Sequence, residues 1–171
     1  MENKTVNFGL IAGGSVVVIL FIMDLINNRM MVSIGMNYFP TLILLIAMIL
    51  SVREAKKDYE VLEFSEAFKH AFLPFVIGNG IYLIFNHLMY NYIDPELPAL
   101  AREKALEIFD KGLFNNIISD EDREVMMDMT REQSFQPTIG QTFTGYMFSL
   151  VFPGGAVGLI LAAIFRTRTK Q

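Results

Sequence analysis

Charged residues in this chain fall in blocks. Between the blocks run four tracts with no Asp, Glu, Lys or Arg: residues 6–23 (18 residues), 30–52 (23), 71–93 (23) and 143–165 (23). A hydrocarbon core of about 30 Å takes roughly 20 residues of helix at about 1.5 Å per residue, with a usable range of about 17–25. All four tracts meet that length, and the core of a small soluble domain does not call for four of them. The pattern predicts an all-α fold, an integral membrane antiparallel bundle of four transmembrane helices over about residues 6–26, 30–52, 67–93 and 141–165. The first tract is read as a retained span rather than a signal peptide, because only Lys4 precedes it and no small-x-small cleavage site follows.

The polar breaks predict how the spans connect. DLINNR, residues 24–29, is short enough to force a hairpin, with Asn27-Asn28 as its turn. The second break, residues 53–69, reads as a 17-residue polar connection in which Ser65 can cap the third helix. Residues 94–138 form an extramembrane loop. In it, Leu97, Ala101, Ala105 and Ile108 recur at helical spacing, and a second segment follows with Ser119 three residues before Asp122, as in a capped start. Two short amphipathic helices are expected there, the second with Val125, Met126 and Met129 as its apolar stripe and Arg131 near its negative end.

Composition sharpens this picture. Hydrophobic residues make up 53% of the 171, and a mean hydropathy of +0.40 is high for a soluble domain. The loop at 94–138 holds 11 acids and 5 bases, so its net −6 exceeds the −4 of the whole chain. With four spans, the N-terminus, the 53–69 connection and the C-terminal tail share one side and carry eight of the 14 bases, among them Lys4, Lys56, Lys57, Arg166, Arg168 and Lys170. The basic side is expected in the cytoplasm, giving N-in and C-in. The chain has no cysteine, which removes disulfides, thiolate metal sites and cysteine nucleophiles.

The stretch FSEAFKHAFLP, residues 64–74, interleaves polar and aromatic groups at the start of the third span. Glu66 with Lys69 and His70 at i+3 and i+4 reads as an interfacial charged pair, and Phe64, Phe68 and Phe72 as rings facing acyl chains. A sharper reading makes Glu66 and His70 a proton-responsive or ligand-binding pair. Farther along the same span, Asn86 and Tyr90 each fall within roughly 20° of Asn79 around a helix, with His87 flanking the stripe. This stripe serves either as interhelical hydrogen bonding or as a ligand groove. Gly9 and Gly13 form G-x-x-x-G, and Gly154, Gly158 and Ala162 continue a small-residue ridge. Both predict close helix packing, or dimerisation, and Pro153-Gly154-Gly155 predicts a kink in the fourth span.

Candidate chemistry is sparse. His70 and His87, 17 residues apart on one helix, lie about 25 Å apart along it and cannot share a metal. No zinc-protease, nucleophile-elbow or phosphate-loop motif is present, and the acids 120–122 lack the spacing of a calcium loop. The expectation is no cofactor, no metal, no nucleic acid and no catalytic residue. The glycine-bearing first span, FSEAFK, NYIDPEL, the acidic helical loop, and the glycine-rich last span with its basic tail together resemble one family. It is the uncharacterised four-helix membrane proteins, mostly of Bacteroidetes, known as domain of unknown function 4199. The resemblance implies a bacterial inner-membrane location and brings no established activity or site residue. The favoured reading is a non-enzymatic accessory or scaffold subunit of the cell envelope, with the lipid bilayer and a membrane-protein partner or second copy as its contacts. The alternative is a small transporter or flippase-like protein for a lipid-linked or amphipathic substrate.

Overall fold

The uncharged tracts fold as helix in the computed structural model, which describes residues 2–111 and 118–167. Four helices are long and apolar enough to cross a membrane: Asn3–Ile26, Tyr38–Asp58, Phe64–Ile93 and Ile139–Phe165. No strand occurs among the described residues. Helix α1 (Glu2–Ile26) and helix α2 (Ile34–Asp58) are joined through one 3₁₀ turn, Asn28–Met30. Asn27 Oδ1 starts that turn by accepting from the Arg29 backbone N–H at 3.1 Å.

Helix α2 does not stop where its apolar run stops. It continues through residues 53–58, so only 59–63 separate it from α3 (Phe64–Leu88), which corrects the 17-residue connection expected from charge. The reason is cooperativity: Glu and Lys propagate a helix readily once a long one precedes them. The cap of α3 is Glu63 rather than Ser65, because the Ala67 N–H donates to the Glu63 carbonyl at 2.9 Å and places Ser65 inside the first turn.

Beyond α3 the chain makes a wide turn, Met89–Ile93, and enters α4 (Leu97–Asp110). Lys104 and Lys111 flank Glu107 on that helix and hold its carboxyl down at about 2. Helix α5 (Asp120–Glu132) starts at Ser119, whose Oγ accepts from the Asp122 N–H at 3.1 Å. Helix α6 (Ile139–Ser149) starts on a reciprocal box, Gln141 N–H to Thr138 Oγ1 at 3.2 Å and Thr138 N–H to Gln141 Oε1 at 2.9 Å. The helix then breaks over Leu150–Gly155, where Phe152 is extended (φ −140°, ψ 124°) ahead of Pro153, and resumes as α7 (Ala156–Phe165).

Contacts between distant residues define two ends. At one, Lys4 pairs with Asp58 at 2.9 Å, and the Leu62 N–H and carbonyl bond Thr167 through its Oγ1 (3.0 Å) and N–H (2.8 Å). At the other, Asn28 donates to Asp94 at 3.1 Å, and Arg29 pairs with Glu103 at 3.2 Å. The basic tail residues Arg168 and Lys170 lie outside the described residues.

Helix α3 is central, packing on α1, α2, α6 and α7. Around it, Leu44, Met48 and Val52 of α2 meet Ala67, Ala71 and Phe75, with Leu161 and Ala162 of α7 closing the cluster. Nearer the other end, Val16, Leu20, Met31, Met89 and Leu97 form a second cluster. The glycine seams explain how α1 comes so close. A Cβ on Gly9 would lie 2.9 Å from Ile77 Cβ and 3.0 Å from the Pro74 carbonyl oxygen, and one on Gly13 would lie 2.9 Å from Gly78 Cα. Helices α1 and α3 thus run side by side in the same direction, backbone against backbone. The Gly154–Gly158–Ala162 ridge packs differently, because aromatic rings rather than backbone fill it. A Cβ would lie 2.6 Å from Phe75 Cδ1 at Gly154 and 3.1 Å from Phe68 Cε2 at Gly158. Phe68 and Phe72 stack at 5.1 Å and pack on Gly158 of α7, half-buried there, while Phe64 stays exposed.

Candidate functional site

Four polar side chains are buried among the described residues: Thr5, Ser51, His70 and Asn79. His70, expected at the interface as part of a charged pair, is only 3% exposed. The start of α3 is buried along one face, with Ala67 and Ala71 fully covered. His70 is carried inward on the same face, while Lys69 stays exposed. Thr5 Oγ1 lies 2.6 Å from His70 Nδ1, and the Tyr59 hydroxyl lies 3.2 Å from Nε2. Tyr59 also reaches Glu66 Oε2 at 3.5 Å. Glu66 and His70 are therefore linked through Tyr59, which makes the unit a relay across α1, the 59–63 connection and α3. Lys4, Glu54 and Asp58 line the small space beside it, together with Ser51, whose hydroxyl is buried without a hydrogen-bond partner among the described residues.

The polar positions of the third span go to different partners. Asn79 is 5% exposed and donates to Ser149 Oγ at 2.6 Å, and the Ser149 hydroxyl donates in turn to the Tyr146 carbonyl at 2.7 Å. The Tyr146 hydroxyl donates to the Val76 carbonyl at 3.1 Å. These two bonds fasten the last turn of α6 to α3 just before the break, and each such interhelical bond contributes about 0.6 kcal/mol on average. Asn86 has no side-chain hydrogen bond among the described residues, and Tyr90 packs against the cluster around Met89 and Leu97. The wide turn at Met89–Ile93 rotates Tyr90 relative to the α-helical positions before it, so the geometry of one continuous helix does not carry through. His87 Nδ1 lies 3.0 Å from Thr142 Oγ1.

Between α3 and α6 lies a groove of about 420 Å³. Gly80 and Tyr146 form its deep end, Leu83 and Ile84 one wall, Phe143 the other, and His87 borders it near the loop end. It exists because the break at Phe152 lets α7 lie flat on α3 through its glycines while α6 leaves at a different angle, touching α3 mainly through Asn79–Ser149, Tyr146–Val76 and His87–Thr142. No group of three or more His, Asp or Glu side chains converges for a metal among the described residues.

Sequence reasoning missed Gly78, Thr5, Tyr59, Thr142, Tyr146 and Ser149. Gly78 had a readable signal: Pro74 and Gly78 are four apart, the same interval as Gly9 and Gly13, which they face. The hydroxyl partners carried none, since a lone Ser, Thr or Tyr in an apolar tract does not point to its acceptor.

No curated protein and no solved structure matches the chain. A family model matches residues 7–167, nearly the whole length, and its description is "Protein of unknown function (DUF4199)". The chain, with its four membrane-length apolar helices, belongs to that family.

Proposed function

We propose that this protein is a multi-pass protein of the bacterial inner membrane, an antiparallel bundle of four spanning helices that acts as a non-enzymatic accessory or scaffold subunit of the envelope. The observation that carries this reading is how the interior polar groups are used. Thr5, His70 and Asn79 bond side chains on other elements, so this buried polarity ties the helices together. Helices α1, α6 and α7 leave apolar side chains exposed along their length, the surface that lipid or a partner's spanning helix would cover. Extraction in mild detergent followed by protein identification tests it. A membrane protein recovered in fixed stoichiometry is the expected result; a chain that purifies alone and moves lipid between leaflets in vesicles would replace this reading with the flippase-like one, which the break at Phe152 favours.

The proposed orientation places the N-terminus, the 59–63 connection and the C-terminus in the cytoplasm, with α4 and α5 outside. Because the chain has no cysteine, single reporters are clean. Glu124→Cys should react with an impermeant thiol reagent in cells whose outer membrane alone is permeabilised, and Lys57→Cys only after the inner membrane is opened. The reverse pattern would invert the topology.

A further inference from the structure

We infer that the groove between α3 and α6 is a binding site for one membrane phospholipid, with an acyl chain lying along Gly80 to Leu88 and the headgroup at His87. The inference rests on the membrane embedding proposed above and adds a specific ligand to it. The groove is cut into the outer surface of two helices of spanning length, so the medium that reaches it is acyl chain. It runs about 12 Å along α3, at about 1.5 Å per residue. Its volume of about 420 Å³ falls within the range of about 300–1,000 Å³ of small-molecule sites. Apart from the His87–Thr142 edge, its walls are apolar, which suits a hydrocarbon chain and no polar solute.

Gly80 makes the deep end possible. A Cβ there would come only to 3.7 Å from Tyr146, an ordinary contact, so this glycine is not required by helix packing in the way Gly9, Gly13 and Gly78 are. What its missing side chain leaves is open space above a ring that the Val76 carbonyl holds in place.

The polar edge is incompletely satisfied. The Thr142 hydroxyl has one proton to give and two acceptors in reach, the Thr138 carbonyl at 3.1 Å and His87 Nδ1 at 3.0 Å. Asn91 Nδ2, a donor nitrogen, lies 3.4 Å from the same Nδ1 and favours Nδ1 as an acceptor with Nε2–H left as a donor; the other tautomer, with Thr142 giving its proton to Thr138, leaves Nε2 as an acceptor. In both tautomers Nε2 has no hydrogen-bond partner among the described residues. A phospholipid headgroup supplies either counterpart, an ammonium or hydroxyl donor or a phosphate oxygen acceptor. His87 lies within two turns of the end of its span, where headgroups begin.

The test is native mass spectrometry of the full-length protein, delipidated in detergent and titrated with a palmitoyl-oleoyl phosphatidylethanolamine or with the diacylglycerol bearing the same chains. Wild type should bind one phospholipid in preference to further copies. Gly80→Leu fills the deep end and Ile84→Trp narrows the groove from its exposed wall; each should weaken binding of both probes roughly tenfold. Gly14→Leu adds the same side chain to a glycine with nothing within 4 Å and should leave binding unchanged. His87→Phe should weaken the phospholipid while leaving the diacylglycerol bound. Wild-type binding in both groove variants, or equal loss in Gly14→Leu, would overturn the site, and unchanged phospholipid binding in His87→Phe would overturn the headgroup assignment. Failure of the membrane reading would show separately, as protein in the soluble fraction of lysed cells.

Discussion

Gly78→Leu is expected to leave little or no folded protein. A Cβ at this position would sit against Leu44 Cδ2 of α2, 3.1 Å from the Gly9 carbonyl oxygen and 3.4 Å from the Gly13 nitrogen, so a side chain there enters the line where three helices meet. Leu44 is a flexible tip and can move, but two backbones cannot without separating α1 from α3. Overpacking a core costs typically about 1–3 kcal/mol and more when the surroundings are rigid. The α1 backbone against this position puts the change at or beyond the top of that range. Gly13→Leu meets Gly78 from the other side and should behave alike, whereas Gly14→Leu, one residue on, meets nothing within 4 Å and should stay within about 0.5 kcal/mol of wild type. Thermal unfolding in mild detergent, with the yield of monodisperse protein, separates these outcomes. Wild-type stability in Gly78→Leu would mean that α1 and α3 do not pack through this seam.

The second large effect is expected at His70. Replacing it with leucine keeps a side chain of similar bulk but strips hydrogen bonding from Thr5, which is 2% exposed, and from Tyr59. A buried polar group left without a partner costs about 1–3 kcal/mol. The Glu66 end stays tied to Tyr59, so the loss should fall mainly on the α1 side, loosening the N-terminal turns that Lys4 and Asp58 also hold. A double-mutant cycle with Tyr59→Phe measures whether the groups act together, and direct coupling should give an interaction term of about 0.5–3 kcal/mol. Strict additivity of the two losses would show that the relay through Tyr59 contributes nothing as a unit.

The same residues mark how far the sequence reading reached. Ser119 as a cap and Asn27 as the start of a turn were legible because a capping side chain bonds its own neighbours two or three residues on. The close approach at Gly9 and Gly13 was legible because both partners in a helix–helix seam need small residues at the helical period, and one partner's period is enough to expose it. The burial of His70 was not legible, because i+3 and i+4 spacing places charged groups near each other on an isolated helix and says nothing about which face a neighbouring helix will cover.

By itself, then, the sequence determined the long apolar helices, the short turn between the first two and the break near Pro153. Each follows from a length, a period or a backbone restriction that is local to the chain. Only the tertiary structure decided that Thr5 reaches His70 across 65 residues, that Asn79 meets Ser149 across 70, and that a groove opens at Gly80. Those outcomes depend on the rotation of each helix about its axis and on the angle at which α6 leaves the break. Both are set by the fit of Pro74, Gly78, Phe68 and Phe75 against glycines on other helices, which no one-dimensional pattern contains.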